Sequence, residues 1–310
     1  MANVPLATWA LGVDVGGTQI KSGLVGQGGG LRDLSSRSTP QPGGGRPVAD
    51  LVVDHVAREV AARAIGPDRI AGVGLVVPGL VNETDGIASY SANLGWRDVP
   101  LRRMVEDRVN LPVAFAHDVR AGAVAEGSAG AGRGCSDFLF VTLGTGVGAA
   151  VTVAGQLYAG ATFSGGEFGH VVVDEAGHPC ACGRRGCLET LASGSGMLRR
   201  FAERAGSPVG DVSELLRLVE QGNAHAVAVW EGGLEALALA LANYVILLDP
   251  ALIVVGGGIS NAGDMLFGPL ADLVGRSLAC RSSPRIVPGE FGSAAGCVGA
   301  GLLSWKMLAA

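Results

Sequence analysis

Two segments of this chain repeat one design, and that repetition narrows the possible folds more than any other feature of the sequence. Trp9 to Val15 is a short apolar run ending in Gly16-Gly17-Thr18, and Gln19 to Val25 resumes it with alternating character. Phe138 to Leu143 runs into Gly144-Thr145-Gly146-Val147-Gly148, after which Ala149 to Val153 is apolar again. Each segment reads as strand, glycine turn, strand. A dinucleotide fingerprint or a Walker loop needs a helix N-terminus directly after its glycines, so both are excluded. The turns are either plain hairpin turns or backbone N–H cradles for phosphate oxygens. A repeat at the start of each half points to two related domains, each offering a glycine turn to one nucleotide. Asp14, at the head of the first turn, is then placed to hold Mg²⁺ or its waters beside the phosphates.

The rest of the pattern is consistent with an α/β chain. With 310 residues, 48% of them hydrophobic, it can bury two cores of ordinary size. The expected division is a small domain of residues 1–120, joined by a closing helix 296–310, and a larger one of residues 121–295. Leu31 to Ser38 reads as a third strand, Pro47 opens a helix with Val48, Leu51, Val52, Val56 and Val60 on one face, and Ile70 to Val77 reads as a central strand. Pro78-Gly79 ends that strand at a sheet edge of the kind that meets ligands. Val81 to Asp98 reads as a long polar loop, with Asn93 able to hydrogen-bond a polar ligand. Pro100 to Val109 is a helix, Pro112 to Ala116 a strand and Val119 to Glu126 the start of another helix. Asp118 falls at that last junction, where a carboxylate either takes a proton from a substrate hydroxyl or caps the helix. His117 beside it is a packed or hydrogen-bonded histidine by default. Met197 to Ala205, Ala224 to Leu248, Asp264 to Leu278 and Ala295 to Leu308 read as helices. Ala251 to Val255 leads into a third glycine turn, Gly256-Gly257-Gly258, which suits close approach to a flat group such as adenine.

Charge and hydropathy exclude some partners. A formal net charge of −5 and the lack of any basic run argue against nucleic acid. Leu234 to Leu248 is interrupted by Glu235 and Asn243 and stopped at Asp249-Pro250, so it is expected to be a buried helix and not a membrane span. The N-terminus lacks a charged region followed by an apolar run and a cleavage site, so the expected location is cytoplasmic.

Metal-ligand types crowd the stretch from Gly165 to Glu189, GGEFGHVVVDEAGHPCACGRRGCLE. His170, Cys180, Cys182 and Cys187 can fold back onto one Zn²⁺. Thiolate and imidazole give a closed tetrahedral shell with no open position for water, hence a structural ion. Gly183 and Gly186 supply left-handed positions for a tight knuckle. The competing readings are ordinary buried thiols or a disulfide, and Cys180-x-Cys182 is poorly spaced for the latter. His178 competes as a ligand, although a solvated histidine is its default reading. Glu167 and Glu189 flank the ligands, so fixing the ion also fixes two carboxylates. Cys135, Cys280 and Cys297 have no partner at ligand spacing and read as free thiols.

DVGGTQIKSGLV, LFVTLGTGVGAAV, GGEFGH followed by CxCGxxGCxE, and VVGGGIS occur in one order across nearly the whole length. In this the chain resembles the ROK family (repressors, open reading frames and sugar kinases), especially its bacterial glucokinases. The resemblance implies a two-lobed actin/hexokinase-like (ribonuclease H-like) α/β fold with ATP and sugar in the interlobe cleft. It also implies ATP-dependent phosphorylation of a hexose at the C6 hydroxyl, and a homodimer or dimer of dimers. By matching position Asp118 looks like the catalytic base, and Gly79, Asn93, Glu167, His170 and Glu189 look like sugar-site residues. His170 would hold zinc and bound the sugar pocket at once. Gly16, Gly17, Thr18, Gly144, Thr145, Gly146, Gly256, Gly257 and Gly258 would line MgATP.

Two departures stand out. Where the family carries Asn-Asp-Ala-Asn, this chain reads His117-Asp118-Val119-Arg120, which bears on turnover and sugar preference. The first strand also begins about ten residues in, leaving no room for the helix-turn-helix of the family's repressors.

Overall fold

In the computed structural model, which describes residues 8–43, 46–63, 69–279 and 281–310, β1 (Thr8–Val15) pairs antiparallel with β2 (Gln19–Val25). Val15 faces Ile20, so Gly16 to Thr18 is the turn. β3 (Leu31–Ser38) extends the hairpin, while β4 (Arg69–Val77) and β8 (Val113–His117) add to the other side in parallel. The resulting order is β3-β2-β1-β4-β8. Leu11, Val13, Leu75 and Val77 are fully buried in the core of this sheet, together with Val52 and Val56 of helix α1 (Val48–Arg63) and Val105 of α2 (Leu101–Val109). Helices α3 (Asp118–Ala129) and α9 (Ala295–Ala309) pack together, and α9 also lies against β1 and β4. Small residues allow that approach: a Cβ on Gly74 would fall 1.8 Å from the Ala300 carbonyl oxygen, and one on Gly299 1.8 Å from that of Ala121.

The segment from 81 to 98 is not the polar loop that its composition suggests. It forms a sheet of β5 (Leu80–Asn82), β6 (Ile87–Ser91) and β7 (Trp96–Val99). Val81, Ala88, Leu94 and Trp96 are buried at irregular intervals that do not register as alternation. Asn82 turns the first hairpin by accepting the Asp85 N–H at 3.1 Å.

The second glycine turn sits in a sheet of the same design. β9 (Phe138–Leu143) pairs antiparallel with β10 (Val147–Val153), which pairs with the short β11 (Gln156–Tyr158). β12 (Leu252–Gly256) and β13 (Arg285–Pro288) add in parallel, giving β11-β10-β9-β12-β13. Both five-stranded sheets therefore share order and direction. Around this one stand α4 (Glu189–Ala192), α5 (Gly194–Ala205), α6 (Val212–Glu220), α7 (Ala224–Leu248) and α8 (Asp264–Ser277). By length and composition α7 would reach across a membrane, more than its sequence suggested. Yet Leu234, Leu237 and Leu241 lie in the core with Leu139, Val141 and Ile253, each such burial contributing about 1.5–3 kcal/mol. Asn223 caps α7 through the His225 and Ala226 amides, and Asp249 ends it in a left-handed conformation before Pro250.

The chain divides into two compact units, Met1–Gly134 with Ala159–Gly165 and Ala294–Ala310, and Cys135–Tyr158 with Gly166–Ser293. α3 stays whole with its partner α9, so the first unit continues past residue 120 to Gly134.

Candidate active site

In the first unit the turn after β1 is held by its own backbone, Gly16 N–H to Gln19 O at 2.9 Å, and by the Thr39 hydroxyl on Gly16 O at 2.7 Å. Asp14, at the end of β1, points at the start of α9, where a Cβ on Gly296 would lie 2.5 Å from its Oδ2. Burial, and secondarily the charge of Asp118, pushes the Asp14 carboxyl up to about 7. A buried carboxylate with a second one near it is an arrangement that suits a divalent cation. Asn93 occupies the hairpin between β6 and β7, and its Nδ2 would lie 3.7 Å from a Cβ on Gly17, so the sheet brings it to the glycine turn. Gly79 has φ +97 and no room for a side chain beside the Tyr90 carbonyl, which accounts for glycine there on backbone grounds alone.

Asp118 is the first residue of α3, and His117 is the residue preceding the helix. The Val119 N–H donates to Asp118 Oδ1 at 2.7 Å, with His117 Nδ1 at 3.3 Å, so the cap position falls to His117. Asp118 Oδ2 accepts no hydrogen bond among the described residues, and the side chain is 24% exposed. A carboxylate held at one oxygen and open at the other can take a proton from a hydroxyl.

In the second unit Glu189 begins α4 and reaches the other glycine turn. Its Oε2 accepts the Val147 N–H at 2.9 Å, and a Cβ on Gly146 would fall 2.5 Å from that oxygen. Gly144 and Thr145 line a cavity of about 900 Å³ together with Gly258, Leu198, Leu216 and Met265. Its size suits a drug-sized group such as a nucleoside, and its lining is mixed, with Asp211, Arg217, Glu220 and Asn261 beside the apolar side chains. The Gly257 φ of +84 folds the third glycine turn onto the end of β9 beside that cavity.

The knuckle gathers its ligands as the spacing requires. Ligand atoms of His170, Cys180, Cys182 and Cys187 lie within 4.8 Å of one another. Cys182 and Cys187 Sγ are 3.6 Å apart, close to the edge of about 3.8 Å for a tetrahedron with Zn–S bonds of ~2.3 Å. These residues fit Zn²⁺. Burial and the neighbouring sulfurs push the Cys187 thiol up to about 12, whereas the Arg184 backbone N–H first among its partners pulls Cys182 down to about 6. Gly186 (φ +67) passes where any side chain would strike the Asp174 carbonyl. His170 turns Nδ1 to Cys180 Sγ at 3.5 Å and Nε2 to Glu167 Oε2 at 3.8 Å, so its two nitrogens serve different neighbours. His178 lies outside the cluster, 3.8 Å from Glu203. Cys135 and Cys297 are free thiols, and Cys280 lies outside the described residues.

The model of the ROK family matches residues 10–306. The chain belongs to the ROK family. This ROK protein is 33% identical to a glucokinase of Halalkalibacterium halodurans over 315 residues, covering 95% of this chain and 94% of that one. It is also 33% identical to a kanosamine kinase of Amycolatopsis mediterranei over 269 residues, covering 85% and 86%. A ROK family glucokinase from Streptomyces griseus, solved with glucose and AMPPNP, superposes with a TM-score of 0.85 at 30% identity, covering 96% of this chain and 99% of that one. The fold is accordingly α/β of the actin/hexokinase-like class.

Several residues of this ROK protein were not legible as site residues. Leu198, Leu216 and Met265 look like core positions of amphipathic helices, and only their shared cavity marks them out. Glu83 carries no local signal. Its Oε1 accepts the His117 N–H at 2.9 Å and Arg120 Nε at 2.8 Å, behind the junction that bears Asp118. Arg120 is 2% exposed and leaves Nη2 without an acceptor among the described residues, a cost of about 1–3 kcal/mol.

Proposed function

We propose that this ROK protein transfers the γ-phosphoryl group of ATP to the C6 hydroxyl of a hexose, glucose first, with Asp118 as general base. The observation that carries this reading is the Asp118 carboxylate, held at one oxygen by the helix start and open at the other. In the step, the hydroxyl proton passes to Asp118 as the C6 oxygen forms a bond to the γ-phosphorus. The bond from that phosphorus to the bridging oxygen breaks and ADP leaves. Phosphoryl transfer has a loose transition state, so positioning and charge stabilisation are what the chain must provide. Asn93, Glu167, His170 and Glu189, with Gly79, are the proposed sugar contacts. The turns Gly16-Gly17-Thr18 and Gly144-Thr145-Gly146 offer N–H and hydroxyl donors to the phosphates, and Gly256-Gly257-Gly258 borders the base. Mg²⁺, held by Asp14 directly or through water, neutralises phosphate charge when bound. Zn²⁺ in the knuckle is structural and fixes the segments bearing Glu167, His170 and Glu189.

The named activities of the relatives support a sugar kinase, and the kanosamine kinase among them keeps amino sugars open as an alternative, along with N-acetylglucosamine, N-acetylmannosamine and fructose. His117 and Arg120 beside the base favour testing a sensor with weak transfer as well. An ADP-release assay over hexoses, amino sugars and N-acetyl sugars decides. Glucose is expected to give the highest kcat/KM, and saturable sugar binding without ADP release would overturn the kinase reading.

We place the protein in the cytoplasm as a homodimer, or a dimer of dimers. Leu239, Ile246, Leu247 and Leu248 expose an apolar stripe on α7 that a second copy would cover. Leu247→Glu is expected to give monomers in sedimentation, and an unchanged sedimentation coefficient would place the interface elsewhere.

A further inference from the structure

We propose that Arg120 is a positioning residue for hexose binding, a strap that holds the Ala159–Gly165 loop and the turn bearing Glu83 against the helix that begins with Asp118. This rests on the kinase reading above, and it goes beyond it by giving a role to a buried residue outside the proposed substrate contacts.

The geometry is a buried fork joining separate pieces of chain. Arg120 Nε donates to Glu83 Oε1 at 2.8 Å, and the same oxygen takes the His117 N–H at 2.9 Å. Nη1 donates to the Phe163 carbonyl oxygen at 3.0 Å. One guanidinium thus ties the turn after β5, the β8–α3 junction and the loop after β11. Glu83 offsets its charge in a site where the arginine side chain is 3% exposed.

The loop has the marks of a segment that needs holding. It closes on itself through Gly165 N–H to Ala159 O at 2.8 Å and Phe163 N–H to Gly160 O at 3.4 Å. Phe163 sits at φ +59, a region that a bulky side chain rarely occupies and that persists when surrounding contacts enforce it. The Phe163 carbonyl is the atom Arg120 grips. Ala159–Gly165 groups with the first unit, while the chain on either side of it groups with the second. Gly166 and Glu167 follow without a break, so the held loop is the covalent lead-in to the Glu167–His170 segment.

Among the described residues Nη2 stays buried without an acceptor, so the fork is held through Nε and Nη1. Lysine cannot substitute, because a single ammonium does not span a carboxylate and a carbonyl in one plane.

The test pairs hydrogen exchange with kinetics on Arg120→Gln and Arg120→Lys. Amides of residues 159–165 are expected to exchange at least about 10-fold faster in both variants, with strands of both sheets unchanged. The hexose KM should rise about 10–100-fold while the ATP KM and kcat at saturating sugar stay within about threefold. Lysine keeps a cation opposite Glu83, so Arg120→Lys supplies the same readings if Arg120→Gln fails to fold. Unchanged loop exchange in the variants overturns the strap, and so does an ATP KM that rises in parallel with the hexose KM. If the wild-type protein phosphorylates no sugar, the kinase reading fails by itself. Loop exchange and calorimetric glucose affinity then still decide the role of Arg120, with equal affinity in wild type and variants counting against it.

Discussion

The two units build the same sheet around the same glycine turn and then surround it with opposite chemistry. In the first, the turn at Gly16 is backed by acids, Asp14 at the end of β1 and Asp118 at the start of α3, and burial first, with the charge of Asp118 second, holds Asp14 up to about 7. In the second, the turn at Gly144 opens on a cavity of about 900 Å³, and its acid, Glu189, is tied down by the Val147 amide. The connection between parallel strands differs as well. Between β1 and β4 it holds β2, β3 and α1, while between β9 and β12 it holds β10, β11, the Cys/His knuckle and four helices, α4 to α7. The contrast teaches that a duplicated frame fixes where the turns go, while the insertions decide what each turn is for. Changes in the second unit should act on binding, and changes under the first turn should act on chemistry.

The largest departure is expected from the knuckle. Cys187→Ser, or removal of metal by a chelator, should unfold the loop from His170 to Cys187 and leave no measurable hexose turnover, because ligand sets of this kind fold with their ion. Elemental analysis showing no zinc in active protein would remove the knuckle from the account. Gly146→Ala places a methyl against Glu189 Oε2 and should break its bond to Val147 N–H, lowering kcat/KM about 10–100-fold through hexose KM. A fall in kcat alone would blur the division between the units.

The smallest effect is a stability change with a definite sign. Asp14 has its folded-state pKa raised from 3.8 to about 7, so across that window the folded chain keeps a proton that the unfolded chain has lost. Its contribution to stability therefore declines as pH rises, and the penalty is complete above about pH 7. Asp14→Asn should accordingly be the more stable protein above pH 7, by at most about 4 kcal/mol before discounting for its partial exposure, and no more stable than wild type near pH 4. Denaturation at the two pH values reads this, and equal stabilities at both would show that Asp14 carries no such penalty.

Much of this was legible in the chain because the signals are local. Glycine and threonine between apolar runs locate both hairpins, and cysteines a few residues apart locate the knuckle. The sheet of β5, β6 and β7 was lost because strands of three to five residues carry too few alternations to separate from a loop. The cavity walls were hidden for another reason: Leu216 and Met265 satisfy a helix face whether that face meets core or ligand. The Glu83–Arg120 pair spans 37 positions and has no local mark; the departure from Asn at 120 was its one trace. Asp118 was read as cap or base; in the structure His117 holds the cap position, while Asp118 Oδ1 still accepts the Val119 N–H at 2.7 Å.

The central claim is that Asp118 moves a proton and does not merely help to hold sugar. Asp118→Asn should be measured for turnover by ADP release and for glucose affinity by calorimetry on the same preparation. A loss in kcat of about 10²–10⁴ with a glucose Kd within about threefold of wild type is the expected result. An undiminished kcat would contradict it.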